Sequence, residues 1–352
     1  MKKGTPTRTT DVLIAGGGVI GSATAYFLLQ QPGWRGRVAV IEPDPSYRYA
    51  ASALSASSIR QQFSSPINIR MSQFGIEFLR DLEAGRLADG QPASIGLVES
   101  SYLYLASETG LESLQENVAI QRQCGVDVTL RTRMGLQNRY PWLATSDLAG
   151  GADTVGCEGW FDGYALLKEL RRRAEALGAS YLRDRVRSID ARAGRVRSLQ
   201  LEGGSQWECG TLVNATGTAS SELAAQLGID LPVRARKRCV FVFQCAEAVE
   251  GCPLVIDPSG LWFRPERDRF ICGLPSEPDP EVALDDFDVP SELFDTVVWP
   301  RLADRVPAFE AIRMTGAWAG HYDYNVFDQN AFVGPAPGVE NFLLASGFSG
   351  HG

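Results

Sequence analysis

Histidine is almost missing and cysteine is sparse. A chain of 352 residues holds only His321, His351 and seven cysteines. No two cysteines stand in a C-x-x-C spacing, so no zinc site and no other metal centre is indicated. The odd, scattered set Cys124, Cys157, Cys209, Cys239, Cys245, Cys252 and Cys272 makes no disulfide framework, and reduced, mostly buried thiols are expected. No apolar run reaches the ~18 residues that span a bilayer, so no transmembrane segment is expected. No apolar stretch follows Lys2, Lys3 and Arg8 before Asp11; a secretory signal is therefore not expected, and a cytoplasmic address follows by default. Positive charge is in deficit, with 34 basic against 42 acidic residues and a net charge of -8. That balance argues against nucleic acid or an anionic membrane as the main partner and leaves a small molecule. Internal repeats and low-complexity segments are lacking too.

What is present is core material. Apolar residues make up 44% of the chain and charged residues 22%, and this length exceeds what one hydrophobic core sustains, so two domains are expected. The apolar run Val12-Leu13-Ile14-Ala15 leads into Gly16-x-Gly18-x-x-Gly21 and then a helical pattern through Ala23, Ala25, Phe27 and Leu28. Glycines at this spacing permit a tight turn and let backbone N–H groups meet a pyrophosphate at a helix N-terminus. Glu42 closes the next buried strand, Val38-Ala39-Val40-Ile41, where a carboxylate can accept hydrogen bonds from a ribose. A dinucleotide is the reading this context supports, against a plain strand-turn-helix. FAD and NAD both remain open on these residues.

Pro66 opens a helix whose apolar side is read as Ile67, Met71, Phe74 and Phe78. Mixed signals follow: strands at 102–106 and 126–130 around a helix at 112–123. Asp162 caps a helix with Leu166, Leu167, Leu170, Ala174 and Leu177 on one side. Short strands are expected at 186–189, 196–201 and 206–209, then a separate buried strand at 211–215. Alternation over 233–243 and 261–272 points to an antiparallel sheet. The fold class expected is α/β: a discontinuous Rossmann-like FAD-binding domain (9–95, 148–232 and 308–352) with a second, smaller substrate domain on an antiparallel sheet (96–147 and 233–307).

Several stretches together carry a resemblance: Ser58-Ile59-Arg60-Gln61-Gln62-Phe63, Glu158-Gly159-Trp160-Phe161-Asp162, Arg236-Lys237-Arg238, Tyr322-Asp323-Tyr324-Asn325 and Gly347-Phe348-Ser349-Gly350-His351-Gly352. The chain resembles the D-amino-acid oxidase superfamily, in its sarcosine oxidase-like branch. That resemblance implies FAD, with Asn214-Ala215-Thr216-Gly217 as a second flavin signature. The implied cofactor contacts are Gly16, Gly18, Val19, Ile20, Gly21, Glu42, Ser52, Ser57, Ser58, Val186, Ala215, Thr216, Gly217, Gly347, Phe348, Ser349, Gly350 and His351. Ser57 and Ser58 stand where relatives are expected to carry a glycine pair. It further implies that Arg60 binds a substrate carboxylate, that Tyr322 and His351 shape the pocket, and that His321 is structural. Sarcosine oxidases attach FAD through a cysteine; its position falls near Gly320, so non-covalent FAD is expected. Relatives also continue past the position of Gly352 through a helix facing the flavin. The implied activity is oxidation of the C–N bond of an amino-acid-like amine, a secondary amine or a D-amino acid, with an unidentified electron acceptor. The alternatives are a flavin-containing assembly or scaffold factor with little turnover, and an NAD-dependent dehydrogenase.

Overall fold

A computed structural model describes residues 7–351; the N-terminal basic residues Lys2 and Lys3 and the last residue of the Gly-rich motif, Gly352, lie outside. The first sheet is built around Arg8–Ala15, which pairs in parallel with Val38–Glu42 on one side and Gln206–Asn214 on the other. Ser180–Arg183 extends it in parallel beyond Val38–Glu42, and Phe342–Ser346 pairs in parallel with Gln206–Asn214. Leu13, Ile14, Val40 and Leu212 are wholly buried, as strands covered on both faces require; this is why their sequences run apolar without alternation. Val19–Leu29 and Gly163–Ala176 pack together beside these strands. Val186–Arg192 and Arg195–Leu201 add an antiparallel edge.

Several local expectations need correction. The strands expected at 206–209 and 211–215 are one, Gln206–Asn214. Gly210 does not interrupt it, because a Cβ there would lie 2.8 Å from the Asp11 carbonyl oxygen and glycine lets the neighbouring strand pass. On Pro66–Glu83 the buried side is Ile69, Ile76, Leu79 and Leu82. Ile67, Met71 and Phe74 face outward, at 63%, 52% and 61% exposure. The helix carries apolar residues at i, i+3, i+4 spacing on more than one side, and that spacing alone does not choose between them. Leu177, one residue past Gly163–Ala176, is also exposed.

The second sheet runs Ile312–Asn325, Val233–Cys245, Arg269–Gly273, Trp262–Glu266, Leu254–Ile256, Tyr102–Ala106, Gly150–Thr154, Val128–Thr132. Every pairing is antiparallel except that of Leu254–Ile256 with Tyr102–Ala106. The boundaries at 148 and 308 would put Gly150–Thr154 and Ile312–Asn325 with the dinucleotide part, whereas both pair in this sheet. Phe241, Phe243, Phe263 and Phe309 pack beneath it in one buried cluster, with the Phe309 ring edge-to-face on Phe243 and Phe263. A third, small sheet joins Ser58–Ile59, Glu158–Trp160 and Val98–Ser100. Among the described residues no helix is long and apolar enough to cross a membrane.

Candidate functional site

The Gly-rich turn sits at the carboxyl ends of the parallel strands. Gly16 has φ +96°, and a Cβ on it would lie 2.2 Å from the Ala215 carbonyl oxygen; a Cβ on Gly21 would lie 1.9 Å from the Gly16 oxygen. Those glycines fix the turn and its packing on the helix. Gly18 differs, since its Cβ would meet only Ser52 Oγ at 3.8 Å. Val19 N donates to Ser52 Oγ at 3.3 Å and Gly17 N to Glu42 Oε2 at 2.8 Å. Among the described residues the N–H groups of Gly18 and Ile20 find no acceptor. A helix start with unpaired N–H groups and an open glycine surface suits a pyrophosphate.

Glu42 has a second role that its spacing does not suggest. Its other oxygen accepts from Asp44 N at 2.8 Å, so the carboxylate pins the loop beyond its own strand. Each oxygen keeps a lone pair for a hydroxyl donor. Burial raises the Glu42 pKa, opposed by these backbone donors. Val186 follows closely on Arg183, the register partner of Glu42. Ala215, Thr216 and Gly217 lie across from Gly16, with Ala215 N donating to Ala15 O. Ser52, Ser57 and Ser58 come from the segment that returns toward the turn, and Ser57 adopts φ 50°.

At the other end, the turn Gly347-Phe348-Ser349-Gly350-His351 is stitched to Ile312–Asn325. Asp323 Oδ2 accepts from Gly347 N at 2.7 Å and Phe348 N at 3.2 Å. Ser349 N donates to Asp323 O, and Asn325 N to Ser349 Oγ at 2.9 Å. Burial raises the Asp323 pKa against the pull of those N–H groups. The sequence reading missed Asp323 as an organiser of this turn. Gly350, at φ +86°, lets Tyr322 pack on the backbone, since a Cβ would fall 2.4 Å from its ring. Tyr322 therefore backs the turn and does not line the cavity described next. Arg238, paired with Asp279, covers the Tyr322 ring at 5.0 Å. His321 Nε2 donates to the Asp286 carbonyl at 2.7 Å and the ring stacks on Phe287, a structural arrangement.

Arg60 and His351 meet in a cavity of about 290 Å³. Arg60 lies 3.9 Å from the Phe63 ring centroid and donates through Nη1 to Gln62 O at 2.7 Å and to the Tyr104 hydroxyl. Its Nε and Nη2 make no protein hydrogen bond and no acid pairs with it among the described residues. The inner edge of His351 packs on Phe63 at 5.4 Å, while its outer side is open to solvent. Partial burial of the edge against Phe63, aided by the Arg60 charge, lowers its pKa. The ring is therefore neutral at neutral pH.

The loop bearing Arg60 is fixed by Glu158, another residue whose role sequence did not reveal. Fully buried, Glu158 accepts from Gln61 N at 2.5 Å, Gln62 N at 3.0 Å, Gln62 Nε2 at 3.0 Å, Tyr102 N at 3.1 Å and the Thr154 hydroxyl. At Gly320 a Cβ would stand 2.9 Å from Leu54 Cβ, so this position has no room for a cysteine.

A family model described as FAD dependent oxidoreductase matches residues 11–352. The chain belongs to this family. FAD is its cofactor, and the chain is an oxidoreductase fold of the D-amino-acid oxidase type. FAD-dependent oxidoreductase domain-containing protein 1 of Xenopus laevis is 38% identical over 383 residues, spanning 99% of this chain and 77% of that protein. The solved glycine oxidase of Geobacillus kaustophilus superimposes with a TM-score of 0.82 at 25% identity, covering 98% of this chain and 91% of that one. L-proline dehydrogenase from P. horikoshii shares the fold, with a TM-score of 0.83 at 22% identity over 99% and 90% of the two chains. The family assignment thus rests on the whole chain, including both glycine-rich turns.

Proposed function

We propose that this flavoprotein oxidises the C–N bond of an amino-acid-like amine, with the substrate carboxylate held by Arg60. The observation that carries the reading is the unpaired guanidinium in the cavity wall, reached from the same side by the flavin turn through His351. A planar fork with free Nε and Nη2 donors matches a carboxylate bidentately. When bound, FAD supplies the hydride acceptor for this chemistry. Gly16, Gly18, Val19, Ile20, Gly21 and Glu42 would hold its ADP half, with Ser52, Ser57, Ser58, Val186 and Ala215-Thr216-Gly217 beside them. Gly347, Phe348, Ser349 and Gly350 would meet its other end. Tyr322 keeps that turn in place, and neutral His351 closes the cavity without adding charge. The attachment is non-covalent, in keeping with the crowding at Gly320, and acid should release the yellow colour. The electron acceptor is a separate molecule.

Arg60→Met should weaken binding of simple carboxylates by about 1.5–3 kcal/mol, the contribution of hydrogen bonds to a charged group. FAD content should stay near that of the parent protein. Titration followed by perturbation of the flavin spectrum measures both, and unchanged carboxylate affinity with lost flavin would assign Arg60 to the fold or the cofactor instead.

A further inference from the structure

The proposed amine oxidation leaves the rest of the cavity unassigned, and its wall is lopsided in chemistry. Among the described residues Arg60 is the one cation lining it, because His351 is neutral. Acceptors outnumber that cation. Asp328 comes from the loop after Asn325, and its Oδ1 accepts from Asn325 Nδ2 at 2.7 Å and Asn330 N at 3.0 Å. Its other oxygen makes no bond among the described residues. Gln62 and Gln121 also line the cavity, and each has its amide orientation fixed by donation from Nε2, to Tyr102 O at 3.0 Å and Phe63 O at 3.2 Å. The Oε1 atoms of both are buried within the wall and do not open onto the cavity, so the free oxygen of Asp328 is the acceptor that a bound molecule meets.

The loop that presents Asp328 is held firmly. Asn325, 1% exposed, also donates to Asn330 O at 2.6 Å and accepts from Phe327 N at 3.0 Å. Asn68 of the helix Pro66–Glu83 donates to Asn330 Oδ1 at 3.0 Å, joining the loop to the opposite wall. A carboxylate already fixed by its neighbours loses little side-chain freedom on meeting a cation.

We propose that the substrate carries a hydrogen-bond donor, best a protonated amine, at the end remote from its carboxylate, and that Asp328 is the residue that selects it. This rests on the reading of Arg60 as the carboxylate anchor. Recognition then runs from guanidinium to carboxylate, and a substrate with an apolar end leaves the free Asp328 oxygen without a donor.

The probes are pentanoate and 5-aminopentanoate, which differ only in the distal amine and cannot confuse it with a reacting one. Each is titrated into the FAD-loaded protein and read by perturbation of the flavin absorption band. Asp328 is exposed, so 5-aminopentanoate should bind about fivefold more tightly, the upper range for an exposed ion pair. Asp328→Asn should erase that advantage while leaving pentanoate affinity and the melting temperature unchanged, which also checks that the loop is intact. Equal or weaker binding of 5-aminopentanoate, with pentanoate still bound through Arg60, overturns the assignment of Asp328 alone. An advantage that survives Asp328→Asn overturns it as well. If neither probe perturbs the flavin, the carboxylate role of Arg60 fails and this inference falls with it.

Discussion

Gly16→Ala should yield a protein that has lost FAD and much of its stability. Two costs combine at this position. An alanine at φ +96° is strained by about 1–2 kcal/mol, and its Cβ would lie 2.2 Å from the Ala215 oxygen. Ala215 cannot move aside easily, because its N–H donates to Ala15 O at 2.8 Å within the neighbouring strand. Overpacking against backbone adds about 1–3 kcal/mol, so a total of about 3 kcal/mol or more is expected. Gly18→Ala provides the contrast. With only Ser52 Oγ near its Cβ and an ordinary backbone conformation, the apoprotein should melt as the parent does. Loss of FAD in that variant would then report the close approach of ligand to Gly18. The ratio of flavin to protein and the melting temperature of stripped protein decide both cases; Gly16→Ala with parental flavin content would contradict the geometry.

Glu158→Ala should be strongly destabilising. Removing the carboxylate strands the N–H groups of Gln61, Gln62 and Tyr102, the Gln62 amide and the Thr154 hydroxyl inside the protein. At about 1–3 kcal/mol for each unpaired buried group, partly relieved by entering water, a loss of about 4 kcal/mol or more is expected. Glu158→Gln keeps one acceptor oxygen and should lose less. Because Gln61 and Gln62 follow Arg60 directly, carboxylate affinity should fall in parallel with stability. Chemical denaturation monitored by tryptophan fluorescence measures the first effect and a pentanoate titration the second. Stability within about 1 kcal/mol of the parent would remove Glu158 as the organiser of this loop.

How much of this was legible in the sequence follows from where the constraints lie along the chain. The first turn was readable because its backbone demands fall on Gly16, Gly18 and Gly21, which are local and specific to glycine. The buried parallel strands were readable from continuous apolar runs. The orientation of Pro66–Glu83 was not, because Ile67, Met71 and Phe74 compete with Ile69, Ile76 and Leu79 for the same periodicity, and only packing resolves the choice. The organising roles of Glu158 and Asp323 were not legible for a different reason. Each acts by accepting backbone N–H groups, from partners 97 and 24 residues away, and such a bond leaves no residue-type signature at the donor. The grouping of Arg60 with His351 rested on resemblance alone in the sequence; their shared cavity is a product of the fold. Asn325 and Asp328 belong to stretches that carry the resemblance but received no role, since an acidic residue and an amide in a polar loop look like ordinary turn chemistry.

An amine carrying a carboxylate, held in the cavity by Arg60, should reduce the flavin. The most direct measurement is anaerobic mixing of FAD-loaded protein with a panel of D-amino acids, N-methyl amino acids and their basic side-chain members, following the visible band of oxidised flavin. At least one amino-acid-like amine should bleach that band, Arg60→Met should slow the bleaching for carboxylate-bearing substrates, and the matching amines without a carboxylate should be poor reductants of the parent protein. A flavin that stays oxidised with every member of the panel, in protein shown to be fully loaded and to melt cooperatively, would contradict the account and favour a flavoprotein whose FAD serves the fold.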